Sequence, residues 1–152
     1  MVIESNTFAP DFTLKDEKGD IRTLSEFKGK NVVLYFYPKD DTPGCTTEAC
    51  NFRDDYSAYE TAGVVILGIS PDSPESHRKF KAKYGLPFTL LADEDKAVCK
   101  LYGVWGLKKN MGKSYEGVHR TTFLIGPDGI ILRVFENVKP ADHSSELLAI
   151  FR

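Results

Sequence analysis

The chain has 152 residues, of which 41% are hydrophobic and 28% charged, and a formal net charge of −2. These values predict a single globular domain over residues 1–152 that buries a core of its own. The slight acidity and the lack of a long basic run argue against a nucleic-acid binder. No apolar stretch approaches the length of a membrane span.

Three cysteines are an odd number, and a domain of this size folds without disulfides, so the thiols favour a reducing compartment. The N-terminal residues show neither the basic nor the apolar region of a secretory signal. We therefore expect a cytoplasmic protein, or one in an organelle from which a transit peptide has been removed.

In chain order, the first predicted element is a small hairpin, because the turn residues Asp16–Gly19 separate Asp11–Leu14 from Ile21–Leu24. Apolar runs rich in β-branched and aromatic residues are typical of strands covered on both faces. They predict strands at Asn31–Tyr37, Val64–Ile69, Phe88–Leu91, Thr121–Ile125 and Ile130–Val134. The turn sequence Gly126–Gly129 predicts that the last two strands form an antiparallel hairpin.

Helical patterns fill the intervals between these strands. A cap and a proline at the start and a glycine at the end predict a helix within Ser73–Gly85. Asp93–Tyr102 predicts a short helix with Val98 and Leu101 turned inward, and Asp142–Phe151 predicts a terminal helix. This order indicates an α/β fold, a thioredoxin-like sandwich with a mixed central sheet flanked by helices and an N-terminal β-hairpin extension.

The segment DDTPGCTTEAC holds Cys45 and Cys50. Thr42 and Pro43 predict an N-cap and a first helical residue, so Cys45 lies in the first turn. Free backbone amides and the positive end of the helix dipole favour a thiolate there.

An apolar face supports this helix, since Cys45, Ala49, Phe52, Tyr56 and Tyr59 follow at steps of three and four residues. The same pattern is typical of a small buried core cysteine, which is the structural alternative for Cys45.

Cys50 follows five residues later, about 140° around an ideal helix and roughly 8.7 Å from Cys45 between Cα atoms. Bridged cysteines seldom exceed about 7 Å. Either the pair is coincidental, or the first turns of the helix must unwind for a disulfide to form.

The stretch from Pro38 to Cys45 resembles the P-x-x-x-T-x-x-C signature of the peroxiredoxins, and TTEAC resembles their peroxiredoxin Q branch, the bacterioferritin comigratory proteins. FAPDFTL, LLADED, YGVWG, MGKSYEG and HRTTFLI extend the resemblance over nearly the whole chain. It implies a peroxidatic Cys45 and a resolving Cys50.

The resemblance also implies roles for four other residues. Arg120 would hold the thiolate and the peroxide oxygens, and Thr42 would hydrogen-bond the sulfur or the peroxide. Pro38 would shield the sulfur, and Glu48 would orient the arginine. Each residue also has a structural alternative. Arg120 could be an ordinary surface arginine and Thr42 only an N-cap. Pro38 could simply end the strand, and Glu48 could compensate the helix dipole.

The implied activity is a thiol-dependent peroxidase that reduces hydrogen peroxide and organic hydroperoxides without a cofactor. Cys45 would become a sulfenic acid, the helix would open, and Cys50 would form an intramolecular disulfide. Thioredoxin or a glutaredoxin-type dithiol would reduce it, and the branch implies a monomer.

The remaining candidates favour structural roles. We expect Cys99 to be a semi-buried structural cysteine, with a backup resolving role as the alternative. His77 and His143 are interpreted as helix residues and His119 as a neighbour of the site. The three histidines form no metal-ligand spacing with one another or with the cysteines, so we expect no metal site. GVWGLKKNMG, with Trp105 and Met111, is interpreted as a surface loop rather than as a wall of the pocket.

Three other functions share parts of this pattern. A thiol-disulfide oxidoreductase or chaperone would carry a C-x-x-C motif, which the sequence lacks. A glutathione peroxidase would share the fold but not the P-x-x-x-T-x-x-C context. A redox sensor would use a Cys45–Cys50 disulfide as a switch, and catalytic turnover separates it from a peroxidase.

Overall fold

The computed structural model describes residues 2–151, apart from the side chain of Asn110. Nine strands are assigned: β1 Thr13–Asp16, β2 Ile21–Thr23, β3 Asn31–Phe36, β4 Val64–Ser70, β5 Thr89–Ala92, β6 Trp105–Asn110, β7 Lys113–Val118, β8 Thr121–Ile125 and β9 Ile131–Phe135. The α-helices are α1 Pro43–Asp54, α2 Tyr56–Thr61, α3 Pro74–Tyr84, α4 Ala97–Leu101 and α5 His143–Phe151. A 3₁₀ turn covers Leu24–Phe27.

Seven strands form one mixed sheet in the order β2-β1-β5-β4-β3-β8-β9. The inner strand β3 runs parallel to the central strand β4 and antiparallel to β8. The predicted N-terminal hairpin therefore extends the central sheet, because β1 pairs antiparallel with β5. The predicted mixed sheet with flanking helices is confirmed.

The core lies on both faces of this sheet, because adjacent side chains along β3 point in opposite directions. Leu34 and Phe36 pack on one face with Phe123 and Tyr102. Val33, Tyr35 and Tyr37 face the other side, where α1, α3 and α5 cover them. The continuous apolar runs are thus explained by strands buried on both faces.

The predicted helical face from Cys45 to Tyr59 is divided between two helices, since α1 ends at Asp54 and α2 begins at Tyr56. Asp55 interrupts the pattern, and its carboxylate accepts a hydrogen bond of 2.7 Å from the Ser144 hydroxyl of α5. The row of buried side chains on α1 continues on α2 with Tyr59.

The prediction for the fourth helix was wrong in its start and in its register. Asp93 accepts hydrogen bonds from the amides of Val98 and Cys99, and the helix begins only at Ala97. This register buries Cys99 completely and leaves Leu101 50% exposed. Leu101 was expected to face inward and Cys99 to be semi-buried.

The loop interpretation of GVWGLKKNMG was also wrong. Trp105–Asn110 pairs in antiparallel register with Lys113–Val118 and forms a separate two-stranded sheet. Met111 and Gly112 connect the strands with positive φ angles of 51° and 80°.

None of the helices within residues 2–151 is long and apolar enough to cross a bilayer.

Candidate active site

Cys45 lies in the first turn of α1, directly after the connection from the inner strand β3. Thr42 has extended backbone angles at the N-cap, and Pro43 occupies the start of the helix, as the sequence predicts. The first helical bond runs from the Thr46 amide to the Thr42 carbonyl at 2.8 Å. Cys45 is 2% exposed, and helix geometry leaves its own amide without an intrahelical acceptor.

Arg120 connects this thiol to a buried carboxylate. It immediately precedes β8, the neighbour of β3 in the sheet, and this pairing brings it to the start of α1. Its Nη2 atom lies 3.3 Å from the Cys45 Sγ, and its Nη1 atom donates to the Glu48 carboxylate at 2.8 Å. The charges of both neighbours raise the pKa of Arg120 despite the opposing effect of burial. The guanidinium therefore stays positive beside the sulfur.

Glu48 is 1% exposed and carries an incompletely satisfied carboxyl group. Burial raises the pKa of Glu48 to about 7, and the attraction of Arg120 lowers it only in part. Within the described residues, its Oε2 atom and the Tyr35 hydroxyl are buried without hydrogen-bond partners. The Tyr35 pKa is raised well above its ordinary value, mainly by burial and then by the charges of Glu48 and Cys45.

Gly44 allows Arg120 to approach the helix closely. A Cβ atom at Gly44 would lie 3.2 Å from Arg120 Nη2 and 3.6 Å from Pro140 Cγ. Pro140 therefore lies near the first turn of α1, on the side of the guanidinium. The Val138 amide donates to the Arg120 carbonyl at 3.0 Å and fixes the start of this segment.

Thr42 and Pro38 lie in the connection before α1. The Thr42 hydroxyl donates to the Lys39 carbonyl at 2.8 Å. It makes neither a side-chain cap nor the sulfur contact that the sequence suggested. The hydroxyl proton is already used in the bond to the Lys39 carbonyl. The hydroxyl oxygen of Thr42 can therefore only accept a hydrogen bond from another partner. Pro38 is half-buried and follows Tyr37, whose amide still pairs with the neighbouring strand β4.

The three cysteines occupy different environments, and all are unbridged thiols. Cys50 is half-buried on α1, five residues after Cys45. Cys99 is fully buried in the core on the other face of the sheet. Burial and the adjacent Asp93 carboxylate raise the pKa of Cys99 far above that of an ordinary thiol, which makes it unreactive.

A histidine and a lysine extend the electrostatic environment of Arg120. His143 is buried beside Thr122, 2.8 Å from its hydroxyl, and burial together with Arg120 lowers the pKa of His143 to about 4. Lys108 of β6 donates to the Val118 carbonyl at 3.0 Å. Burial and Arg120 lower the pKa of Lys108, and the Cys45 charge opposes them. The hairpin thus borders the site through Lys108, whereas His119 packs over Gly106.

A buried network fixes the connection before α1. Asp40 accepts hydrogen bonds from the hydroxyls of Tyr37 and Ser76 at 2.6 and 2.8 Å, and His77 Nδ1 lies 2.7 Å from its second oxygen. His77 Nε2 donates to the Leu91 carbonyl at 2.8 Å. Asp40, Asp72 and His77 bring possible ligand atoms within 4.8 Å, but hydrogen bonds already use them.

Sequence reasoning missed Asp40, Lys108 and Tyr35 as parts of this environment. Asp40 lies inside the PKDDTPGC motif, but only the fold brings His77 to it. In the sequence, Gly112 is the local signal for the turn of the hairpin that carries Lys108, because glycine readily adopts the positive φ found there. Tyr35 looks like any other apolar residue of the strand run.

Comparison with known proteins connects this geometry to a family. The AhpC/TSA family matches residues 6–134. The chain is 54% identical to the putative peroxiredoxin bcp of Coxiella burnetii over 97% of this chain and 98% of that protein. It is 51% identical to peroxiredoxin Bcp of Bacillus subtilis over 97% of this chain and 94% of that protein.

The chain is a peroxiredoxin of the AhpC/TSA family. Among solved structures, bacterioferritin comigratory protein from Xanthomonas campestris superposes with a TM-score of 0.87 at 40% identity, covering 92% of this chain and 89% of that one. PrxQ from Xylella fastidiosa gives 0.91 at 35% identity over 99% and 95%.

These similarities confirm the thioredoxin-like fold and the expected branch. The peroxiredoxin is a thiol-dependent peroxidase, an enzyme class that uses peroxide substrates and a thiol reductant. The Xanthomonas structures concern alkyl peroxide reduction by that protein.

Proposed function

We propose that this peroxiredoxin reduces hydrogen peroxide and organic hydroperoxides with Cys45 as the peroxidatic cysteine and Cys50 as the resolving cysteine. The observation that carries the proposal is the 3.3 Å contact between Arg120 Nη2 and the Cys45 Sγ. A guanidinium in this place directs a positive donor at the sulfur, and the thiolate is the nucleophilic form of cysteine.

In the first step, the Cys45 thiolate attacks the terminal oxygen of the hydroperoxide. An S–O bond forms, the O–O bond breaks, and the leaving oxygen departs as hydroxide or alkoxide and takes up a proton. The first-turn amides and Arg120 supply donors for the charge that develops on the oxygens. Thr42 Oγ1 accepts the hydrogen bond of the hydroperoxide O–H, because its own proton goes to the Lys39 carbonyl.

Glu48 and Pro38 are positioning residues in this account. Glu48 fixes Arg120 through the 2.8 Å ion pair, so that one edge of the guanidinium remains directed at the sulfur. Pro38 ends the strand before the loop and shields Cys45 from water. The burial of Cys45 supports the shielding role.

In the second step, the Cys45 sulfenic acid condenses with the Cys50 thiol, which releases water and forms a disulfide. The separation of about 8.7 Å between their Cα atoms in an ideal helix means that the first turns of α1 must unwind. A thioredoxin or glutaredoxin-type dithiol then reduces the disulfide by exchange and becomes oxidised itself.

We also propose that the enzyme acts in the cytoplasm, as a single-domain monomer over residues 1–152.

Steady-state peroxide consumption by wild type, Cys45→Ser, Cys50→Ser and Cys99→Ser, with thioredoxin and its reductase, tests this cycle. We expect no turnover for Cys45→Ser, arrest at the sulfenic acid for Cys50→Ser, and near-normal turnover for Cys99→Ser. A wild-type protein that consumes one equivalent of peroxide and stops with every dithiol would be a sensor, and the proposed cycle would be wrong.

A further inference from the structure

Asn51 joins α1 to residues 138–142, a segment that borders the candidate active site. Its side-chain amide donates to the Ala141 carbonyl at 2.9 Å and lies 3.3 Å from the Pro140 carbonyl. These acceptors belong to the 138–142 segment, whose first residue donates to the Arg120 carbonyl and whose Pro140 ring lies near Gly44. The residue directly after Cys50 is therefore attached to the surroundings of the guanidinium.

The part of α1 that opens must end close to Asn51. Phe52 is fully buried and packs against Tyr35, Tyr59 and Phe88. Removing it from the core would expose a large aromatic side chain and leave its neighbours without their packing partner, which is among the most destabilising changes in a protein core. Arg53 adds a second anchor, since its Nη1 atom donates to the Tyr84 carbonyl at 2.8 Å. We therefore expect unwinding to stop before Phe52.

The other end of the opening segment is fixed as well. The Asp41 carboxylate accepts hydrogen bonds from Lys83 and Tyr84 of α3, each at 2.7 Å. We therefore expect the conformational change to involve mainly the residues between Asp41 and Phe52. Asn51 is the last of these residues, and it holds a side-chain bond to a different part of the chain.

We propose that Asn51 is a positioning residue that holds α1 closed in the reduced enzyme and thereby limits the rate at which Cys50 reaches Cys45. The proposal rests on the resolving role of Cys50 given above. When Cys50 turns toward Cys45, the adjacent Asn51 must release the Pro140 and Ala141 carbonyls. The bond stabilises the closed, peroxide-reactive state relative to the open state in which the sulfenic acid and thiol condense.

Asn51→Ser is the sharpest variant, because serine has nearly the same helix propensity and is too short to reach the two carbonyls. The loss of one partly exposed hydrogen bond predicts a three- to tenfold shift of the opening equilibrium, as a rough value. Asn51→Asp keeps the shape but places a carboxylate against two carbonyl oxygens, so we expect a larger shift. Arg53→Gln is the matched control, since it removes an anchor of the part that stays folded.

Hydrogen exchange of the reduced protein measures opening without peroxide. We expect amides of residues 46–51 to exchange about three- to tenfold faster in Asn51→Ser and to keep wild-type rates in Arg53→Gln. The condensation rate after one equivalent of peroxide should rise by the same factor, and the dithiol-buffered equilibrium should shift toward the Cys45–Cys50 disulfide.

Unchanged exchange and an unchanged thiol–disulfide equilibrium in Asn51→Ser would overturn the inference. An equal effect of Arg53→Gln would overturn it too, because the helix would then be loosened as a whole. If wild type formed no Cys45–Cys50 disulfide, the proposed function would fail at its second step. The exchange experiment would still decide whether Asn51 holds the helix.

Discussion

Arg120 and Cys45 are 75 residues apart in sequence, and a contact of 3.3 Å joins the Nη2 of one to the Sγ of the other. The same guanidinium holds Glu48 through its other terminal nitrogen. Its planar donors thus contact a thiol sulfur and a buried carboxylate at once, which a lysine ammonium cannot do with the same fixed geometry.

Arg120→Lys should therefore slow the reaction of Cys45 with hydrogen peroxide by about a hundredfold, a size typical of losing one fixed donor from an active site. Stopped-flow measurement of the second-order rate is the readout. Arg133→Lys is the control, since Arg133 lies on β9 and stacks on Phe135. A wild-type rate in Arg120→Lys would contradict the role of the guanidinium.

The buried carboxyl group of Glu48 should make the free energy of unfolding depend on pH. Its pKa rises from 4.5 to about 7 on folding, so the folded carboxyl binds its proton more tightly than the unfolded one. This contribution is fully present below pH 4.5 and is lost as the pH rises to about 7. Relative to Glu48→Gln, the free energy of unfolding of the wild type should fall by on the order of 3 kcal/mol across this window.

The comparison with Glu48→Gln is necessary because His143 acts in the opposite direction. Its pKa falls from 6.5 to about 4, so its contribution is present above pH 6.5 and is lost as the pH falls toward 4. Denaturant titrations from pH 4.5 to 7.5 give the difference curve. Glu60→Gln, at an exposed position of α2, is the control. A flat difference curve for Glu48→Gln would refute the raised pKa.

Gly44→Ala tests the close approach of Arg120 to α1. The new Cβ would lie 3.2 Å from Nη2, so the guanidinium must move by a few tenths of an ångström. We expect a three- to tenfold slower reaction with peroxide, as a rough estimate for a small misplacement of a catalytic group. Helix propensity favours alanine, so stability should not fall by that route.

The double variant Gly44→Ala/Arg120→Ala provides the control for this prediction. If alanine acts through the guanidinium, the substitution at Gly44 should have little effect once Arg120 is gone. An equal slowing in both backgrounds would show that Gly44 acts in some other way.

Cys99 should be inert in the folded enzyme. Its burial and the Asp93 carboxylate raise its thiol pKa, so little thiolate forms at neutral pH. Iodoacetamide treatment of the reduced protein followed by peptide mapping should find label on Cys45 and Cys50 and none on Cys99. Labelling of all three under denaturing conditions is the control. Rapid native labelling of Cys99 would contradict its structural role.

The central sheet and the helix starts follow from local sequence patterns. Apolar runs predicted the buried strands to within two residues, and Thr42 with Pro43 predicted the start of α1. The β6–β7 hairpin was missed because its strands are rich in lysine and glycine and are largely exposed, so they lack a buried face.

The long-range contacts of the site depend on the fold. The Arg120–Glu48 pair spans 72 residues and forms because β8 lies beside β3. The Asp40–His77 contact spans 37 residues, and the Asn51–Ala141 contact spans 90. No local pattern encodes these pairings. The motif resemblance led to Arg120 and Glu48, but nothing in the motif pointed to His77 or Asn51.

In the proposed cycle, peroxide oxidises Cys45, and Cys50 resolves the sulfenic acid after α1 opens. Intact-mass analysis and peptide mapping after one equivalent of hydrogen peroxide, without a reductant, test it directly. We expect a loss of about 2 Da from the reduced chain and a peptide in which Cys45 is linked to Cys50. A chain that gains one oxygen at Cys45 and keeps Cys50 as a free thiol would contradict it.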